Sequence, residues 1–149
     1  MSRERLRQLE DIAQLQRLRL DRAQLRAAGL RRDLQSAHYA CELAAAERGR
    51  IDAQWRAALA RSEALDLAAI AGWRSLAGDA QGRCEQCEAE HQRAQDAADA
   101  FAHELLRVRT QSERADEDAA RERAAVARKR EEKTADAVLE RHNAIGAAP

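Results

Sequence analysis

From Leu6 onward, apolar residues return at alternating steps of three and four. Written in sevens with Leu6 first, the inward positions are Leu6, Leu9, Ala13, Gln16, Leu20, Ala23, Ala27, Leu30, Leu34, Ala37, Cys41 and Ala44. They continue as Arg48, Ile51, Trp55, Ala58, Ser62, Leu65, Ala69, Gly72 and Leu76, and only Gln16, Arg48 and Ser62 are polar. A repeat of 3.5 residues per turn keeps one side of a helix toward a partner, so the stripe predicts a coiled-coil helix over about 3–77. At ~1.5 Å per residue its apolar stripe runs roughly 105 Å. A second stripe runs through Cys84, Cys87, His91, Ala94, Ala98, Phe101, Leu105, Val108, Ser112, Ala115, Ala119, Glu122 and Val126, and predicts a second helix over about 83–145. Its register fails at Lys129 and Lys133, and a new phase through Ala135, Val138, His142 and Ile145 takes over, the pattern of a stutter.

Between the stripes lies Gly78-Asp79-Ala80-Gln81-Gly82. Two glycines around an aspartate supply a helix stop and permissive backbone, so the turn is placed at about 78–82, with Gly72 loosening the turns before it. A reversal near the midpoint gives the expected fold: all-α, one long antiparallel two-helix coiled-coil hairpin over 1–149, monomeric. Folding about residue 80 sets Trp55 against Leu105, Ile51 against Val108 and Leu34 against Val126. Leu6 and Leu9 are then left without partners, and helix 1 projects past helix 2. A long parallel dimer without the reversal is the rival architecture.

Composition agrees with long helices. The 45% hydrophobic content is largely alanine, the aromatics are Tyr39, Trp55, Trp73 and Phe101, and 35% of residues are charged. Too few large side chains are present for a three-dimensional core, so burial is expected as a narrow line between helices. The only proline is Pro149; Gly29 and Gly49 fall on outward positions, Ser2 is placed to cap the first helix, and Gly146 to end the second. With 26 basic and 26 acidic residues the net charge is zero, unlike the basic field of a nucleic-acid binder. The start of the chain lacks a secretory apolar region, and the longest strongly apolar run, 67–73, is far short of a membrane span. Three cysteines without a signal point to a reducing, cytoplasmic compartment.

The candidate chemistry is sparse. Cys84-x-x-Cys87-x-x-x-His91 has the outline of half a zinc site, but its residues all fall on the seam and no second ligand pair is near, so packing is the favoured reading. A redox Cys-x-x-Cys sits at a helix N-terminus after a strand, and no strand pattern precedes this one. Cys41 lies some forty residues up helix 1, more than about 50 Å from Cys84 on any straight helix, and is expected to bridge to neither Cys84 nor Cys87 within one hairpin. The basic run Arg121, Arg123, Arg128, Lys129, Arg130 is neutralised by Glu122, Glu131 and Glu132, which reads as a solvated face. No phosphate loop or nucleophile arrangement occurs, so no catalysis, metal or cofactor is expected. The excess is apolar. Ile12, Leu15, Leu18 and Leu25 lie off the seam, and a single partner helix cannot cover both faces. Such a stripe marks a docking surface or a more compact fold. Ile70 and Trp73, off the seam beside the expected turn, read as a second anchor.

A chain folded at its midpoint into two helices, with a leucine stripe over 6–34, a turn at 78–82 and a charged, alanine-rich tail over 121–145, resembles the central-stalk family of bacterial type III export. These are the FliJ, YscO and HrpO-like proteins. The resemblance implies a non-enzymatic protein, cytoplasmic and peripheral to the inner-membrane secretion apparatus. The end with both termini would enter the hexameric export ATPase, and the turn end would reach toward the export-gate membrane protein. Secretion chaperones are further implied partners; nucleic acid and direct membrane insertion are not. The corresponding partner-binding residues are Leu6, Leu9, Ile12, Leu15, Leu18 and Leu25 at the terminal end, with Ile70 and Trp73 near the turn. A generic cytoplasmic coiled-coil scaffold or adaptor is the alternative. A membrane-surface helix protein and a small metal or thiol enzyme are weaker rivals.

Overall fold

The computed structural model describes residues 2–61 and 66–146, with the backbone alone of Ser2. The cap expected from the Ser2 side chain, and the seam positions Ser62 and Leu65, lie outside the described residues. Two helices account for the fold: α1, Ser2–Arg61, of 60 residues, and α2, Leu67–Gly146, of 80 residues. They pair antiparallel, so the all-α two-helix hairpin expected from the heptads is the fold of the chain.

The reversal is not where the glycines suggested. Helix α2 runs unbroken through 78–82, and its N-terminus is set by Asp66. The Asp66 carboxylate accepts a hydrogen bond from the Ala68 amide at 3.1 Å, and its carbonyl accepts the first intrahelical bond, from Ile70, at 3.1 Å. This is an N-cap, satisfying donors that a helix start otherwise leaves bare. Gly78 and Gly82 have no positive φ and no atom near a would-be side chain. Each costs the helix about 1 kcal/mol. Against that, continuing the helix back to residue 67 brings Ile70, Trp73, Ala77 and Ala80 into the seam. Burying a large apolar side chain contributes ~1.5–3 kcal/mol, and an aromatic pair ~0.5–1.5 kcal/mol more, so the seam outweighs the glycines. Side-chain amides of Gln81, Gln86, Gln92 and Gln95 also donate to acids four residues on, lacing the outer face of α2.

Two compact units divide the chain. The first combines residues 2–24 of α1 with 104–146 of α2. Its core is Ala13, Ala23, Ser112, Ala119 and Val126, flanked by half-buried Leu6, Leu9, Leu20, Leu105 and Val108. Ion pairs cross its seam from Arg5 to Glu122 (3.8 Å), Arg17 to Asp116 (2.8 Å) and Arg123 to Glu10 (2.7 Å). The earlier reversal shortens α1 and lengthens α2, which inverts the expected overhang. Leu6 and Leu9 have partners on α2, and it is α2 that runs on, with every residue of 127–146 exposed.

The second unit, Leu25–His103, contains the capped start of α2. Its core is Ala27, Ala44, Ile51, Ala80 and Cys84. Trp55 meets Trp73, with ring centroids 5.8 Å apart; His38 meets His91 at 5.6 Å; Glu47 pairs with Arg83 at 3.1 Å; and Arg26 lies 4.9 Å over the Phe101 ring. These contacts replace the Trp55–Leu105, Ile51–Val108 and Leu34–Val126 pairs expected from a turn at 80. Stepping equally down α1 and up α2 from the tryptophan pair sets Ile51 against Ala77 and Leu34 against Ala94. Large against small is how a narrow seam fills without voids.

Candidate functional site

In the first unit, α1 presents apolar side chains that its own partner helix leaves uncovered. Ile12, Leu15 and Leu18 are each about half exposed although they sit one turn or less from seam residues Leu9, Ala13, Gln16 and Leu20. The heptad dictates this: with Leu6 at the first position, Ile12 flanks the seam and Leu15 and Leu18 fall on the side turned away from it. In the same unit, the α2 overhang carries Val138, Leu139 and Ile145, all well exposed, on one side of a helix whose other residues are mostly charged. Where α1 begins, Arg3, Val126, Lys129, Arg130, Lys133 and Asp136 are among the residues lining an open groove of about 510 Å³. The basic run is not simply neutralised by its sequence neighbours. Arg123 reaches across to Glu10 and Glu122 receives Arg5, while Arg121 stays within α2, paired with Glu117 at 3.4 Å.

Leu25, the first residue of the second unit, is 72% exposed. Leu6 and Leu9, by contrast, are half-buried seam residues, so they lend the terminal end stiffness and little free surface. Ile70 and Trp73 are likewise half buried, in the α2 seam, with Trp73 against Trp55. The expectation that they lie off the seam is corrected: that placement carries the α1 register past the end of α1, whereas both residues belong to the α2 seam.

The second unit also assembles what sequence reasoning had separated. The expected separation of more than about 50 Å between Cys41 and Cys84, and with it the exclusion of a bridge to either cysteine, is corrected: the antiparallel pairing of α1 with α2 brings Cys41 alongside Cys84 and Cys87. Partial burial in the seam pushes the Cys41 thiol up from its ordinary value, and then neighbouring Cys87, Glu88, Cys84 and Glu90 push it the same way. His38 and His91 stand at the adjacent level, His38 also 3.4 Å from Glu42. Cys84 is buried, and Cys87 and His91 are half buried, as seam positions should be. Among the described residues no three His, Cys, Asp or Glu side chains converge so as to hold a metal ion, and no helix is long and apolar enough to cross a membrane. The signal for this cluster was present: the α2 heptads extend back in perfect phase through Ala80, Ala77, Trp73 and Ile70. No protein-family model, curated protein or solved structure matches the chain.

Proposed function

We propose that the protein works without catalysis, as a helical-hairpin stalk of a type III export apparatus, docking its terminal unit into the hexameric export ATPase. The observation that carries this is the exposed apolar face of Ile12, Leu15 and Leu18 in the unit that holds both the start of α1 and the end of α2. Burial of such leucines at an interface contributes roughly 1.5–3 kcal/mol each before ordering costs, enough to dominate a docking site. The same unit has paired charges around the seam, which keep the two helices in register while the outer face stays free. On this reading the export gate and secretion chaperones are further partners.

The second reading is a general coiled-coil scaffold. It gains from the reversal at Asp66: one of the three stretches behind the stalk resemblance, the 78–82 turn, is helix. The double variant Leu15→Glu/Leu18→Glu separates the two. Neither residue is in the seam, so the helical content and melting temperature are expected to hold within a few degrees. A stalk loses association with a hexameric export ATPase, and the stimulation of its activity. If the wild-type chain neither binds that ATPase nor changes its rate, the stalk reading falls and the scaffold remains. If the variant unfolds, the stripe is core and neither docking argument stands.

A further inference from the structure

A group of reactive side chains that the proposed function does not use lies inside the second unit, and it is independent of that reading. Observed contacts fix the register on both sides of it. His38 opposes His91, with ring centroids 5.6 Å apart, and Glu47 pairs with Arg83 at 3.1 Å. Three residues on from His38 is Cys41; four back from His91 is Cys87. Three back from Glu47 is Ala44; one on from Arg83 is Cys84. The interval therefore closes with Cys41 opposite Cys87, and Cys84 opposite Ala44. Both members of the facing pair are half buried, whereas Cys84 is buried. Small residues surround the level, Ala37 and Ala44 on α1 and Ala80 on α2. Helix axes approach most closely where side chains are small, and a disulfide needs Cα atoms within about 7 Å.

We infer that Cys41 and Cys87 form a thiol-oxidation site that links α1 to α2, with a low-molecular-weight disulfide of the glutathione class as the oxidant. In the first step the Cys87 thiolate attacks one sulfur of the oxidant, forming a mixed disulfide and expelling one small thiolate. In the second, Cys41 gives up its proton to water and attacks the Cys87 sulfur, expelling the other. Two protein thiols are oxidised and one small disulfide is reduced to two thiols, so the electrons balance. Cys41, its thiol raised by partial burial and by its neighbours, is the resolving partner. The product closes 41–87 into a loop that includes the reversal before Asp66. Cross-linking across a reversal stabilises chiefly by restricting the unfolded chain.

The full chain, incubated with oxidised glutathione and alkylated, is digested with trypsin without reduction. Expected is a linked pair of the peptides 33–48 and 84–93, in a product that stays monomeric on a non-reducing gel. The link persists in Cys84→Ser and disappears in Cys87→Ser and in Cys41→Ser. Oxidation raises the melting temperature by several degrees, reversed by reductant. A link that survives Cys87→Ser but not Cys84→Ser, a loop confined to peptide 84–93, or bridges only between two chains would each overturn the pairing.

Discussion

Gln16 shows at the scale of one residue how this fold tolerates imperfection. Its Oε1 is buried without a hydrogen-bond partner, and the register places it opposite Ser112, the only buried polar residue of the described core. A polar level in an alanine and leucine seam costs stability and fixes which residues face each other. Replacing both, as Gln16→Leu with Ser112→Ala, is expected to raise stability by about 1–3 kcal/mol in urea unfolding, since the orphaned group is removed without a cavity. A loss instead would mean that bound water satisfies the pair. Cys41 makes a prediction of another kind. Its thiol is raised above the ordinary 9.0 by partial burial first and by its neighbours after that. The folded state therefore holds the proton more tightly than the unfolded state. The stability this contributes is complete below pH 9 and is lost as pH rises beyond it toward the folded value. Melting of wild type and Cys41→Ser should converge between neutral pH and about pH 10; parallel curves would refute the assignment.

At the scale of the element, α2 is decided by one cap and a seam against several glycines. Asp66→Ala removes the acceptor for the Ala68 amide and is expected to cost about 1 kcal/mol, within the 0.5–2 kcal/mol range of lost caps. Gly82→Ala, in contrast, should stabilise by roughly 0.5–1 kcal/mol, because the site is helical and nothing crowds a new Cβ. Were 78–82 a turn with left-handed glycines, the same substitution would destabilise. Much of both elements was legible from the heptads alone: on α1 every apolar seam residue from Leu6 to Ala58 is buried or half buried. The end of α1 was not. Glycine marks a possible stop, but whether a helix stops there depends on what the next turns bury, and here they bury Ile70 and Trp73.

The whole molecule is two antiparallel helices whose pairing register follows from where the chain reverses. Within Leu25–His103, nitroxide labels on exposed Leu43 and Gln86 should lie under about 20 Å apart, since helices in contact have axes 8–10 Å apart. A turn at 80 would instead put Leu43 beside residue 117 and Gln86 near 74, giving a long separation. The label distance thus reads the reversal directly, and dilution with unlabelled chain shows whether the contact is within one molecule. The surplus length of α2 follows from the same choice, as does the exposure of Val138, Leu139 and Ile145.

The sequence by itself determined the class of the fold, both seam faces and the leucines left outside them, because a period of 3.5 residues is a local property that each helix carries alone. It also determined that Cys84, Cys87 and His91 belong inside. What it could not decide was the register between the helices, since alanine-rich seams offer nearly equivalent packing at every seven-residue slip. Tertiary structure settled that choice through few contacts of high specificity: the Trp55–Trp73 pair, the Asp66 cap and the charges joining Arg17 to Asp116 and Arg83 to Glu47. Only with that register do Ile70 and Trp73 pass from surface to seam, and only then does Cys41 arrive opposite Cys87.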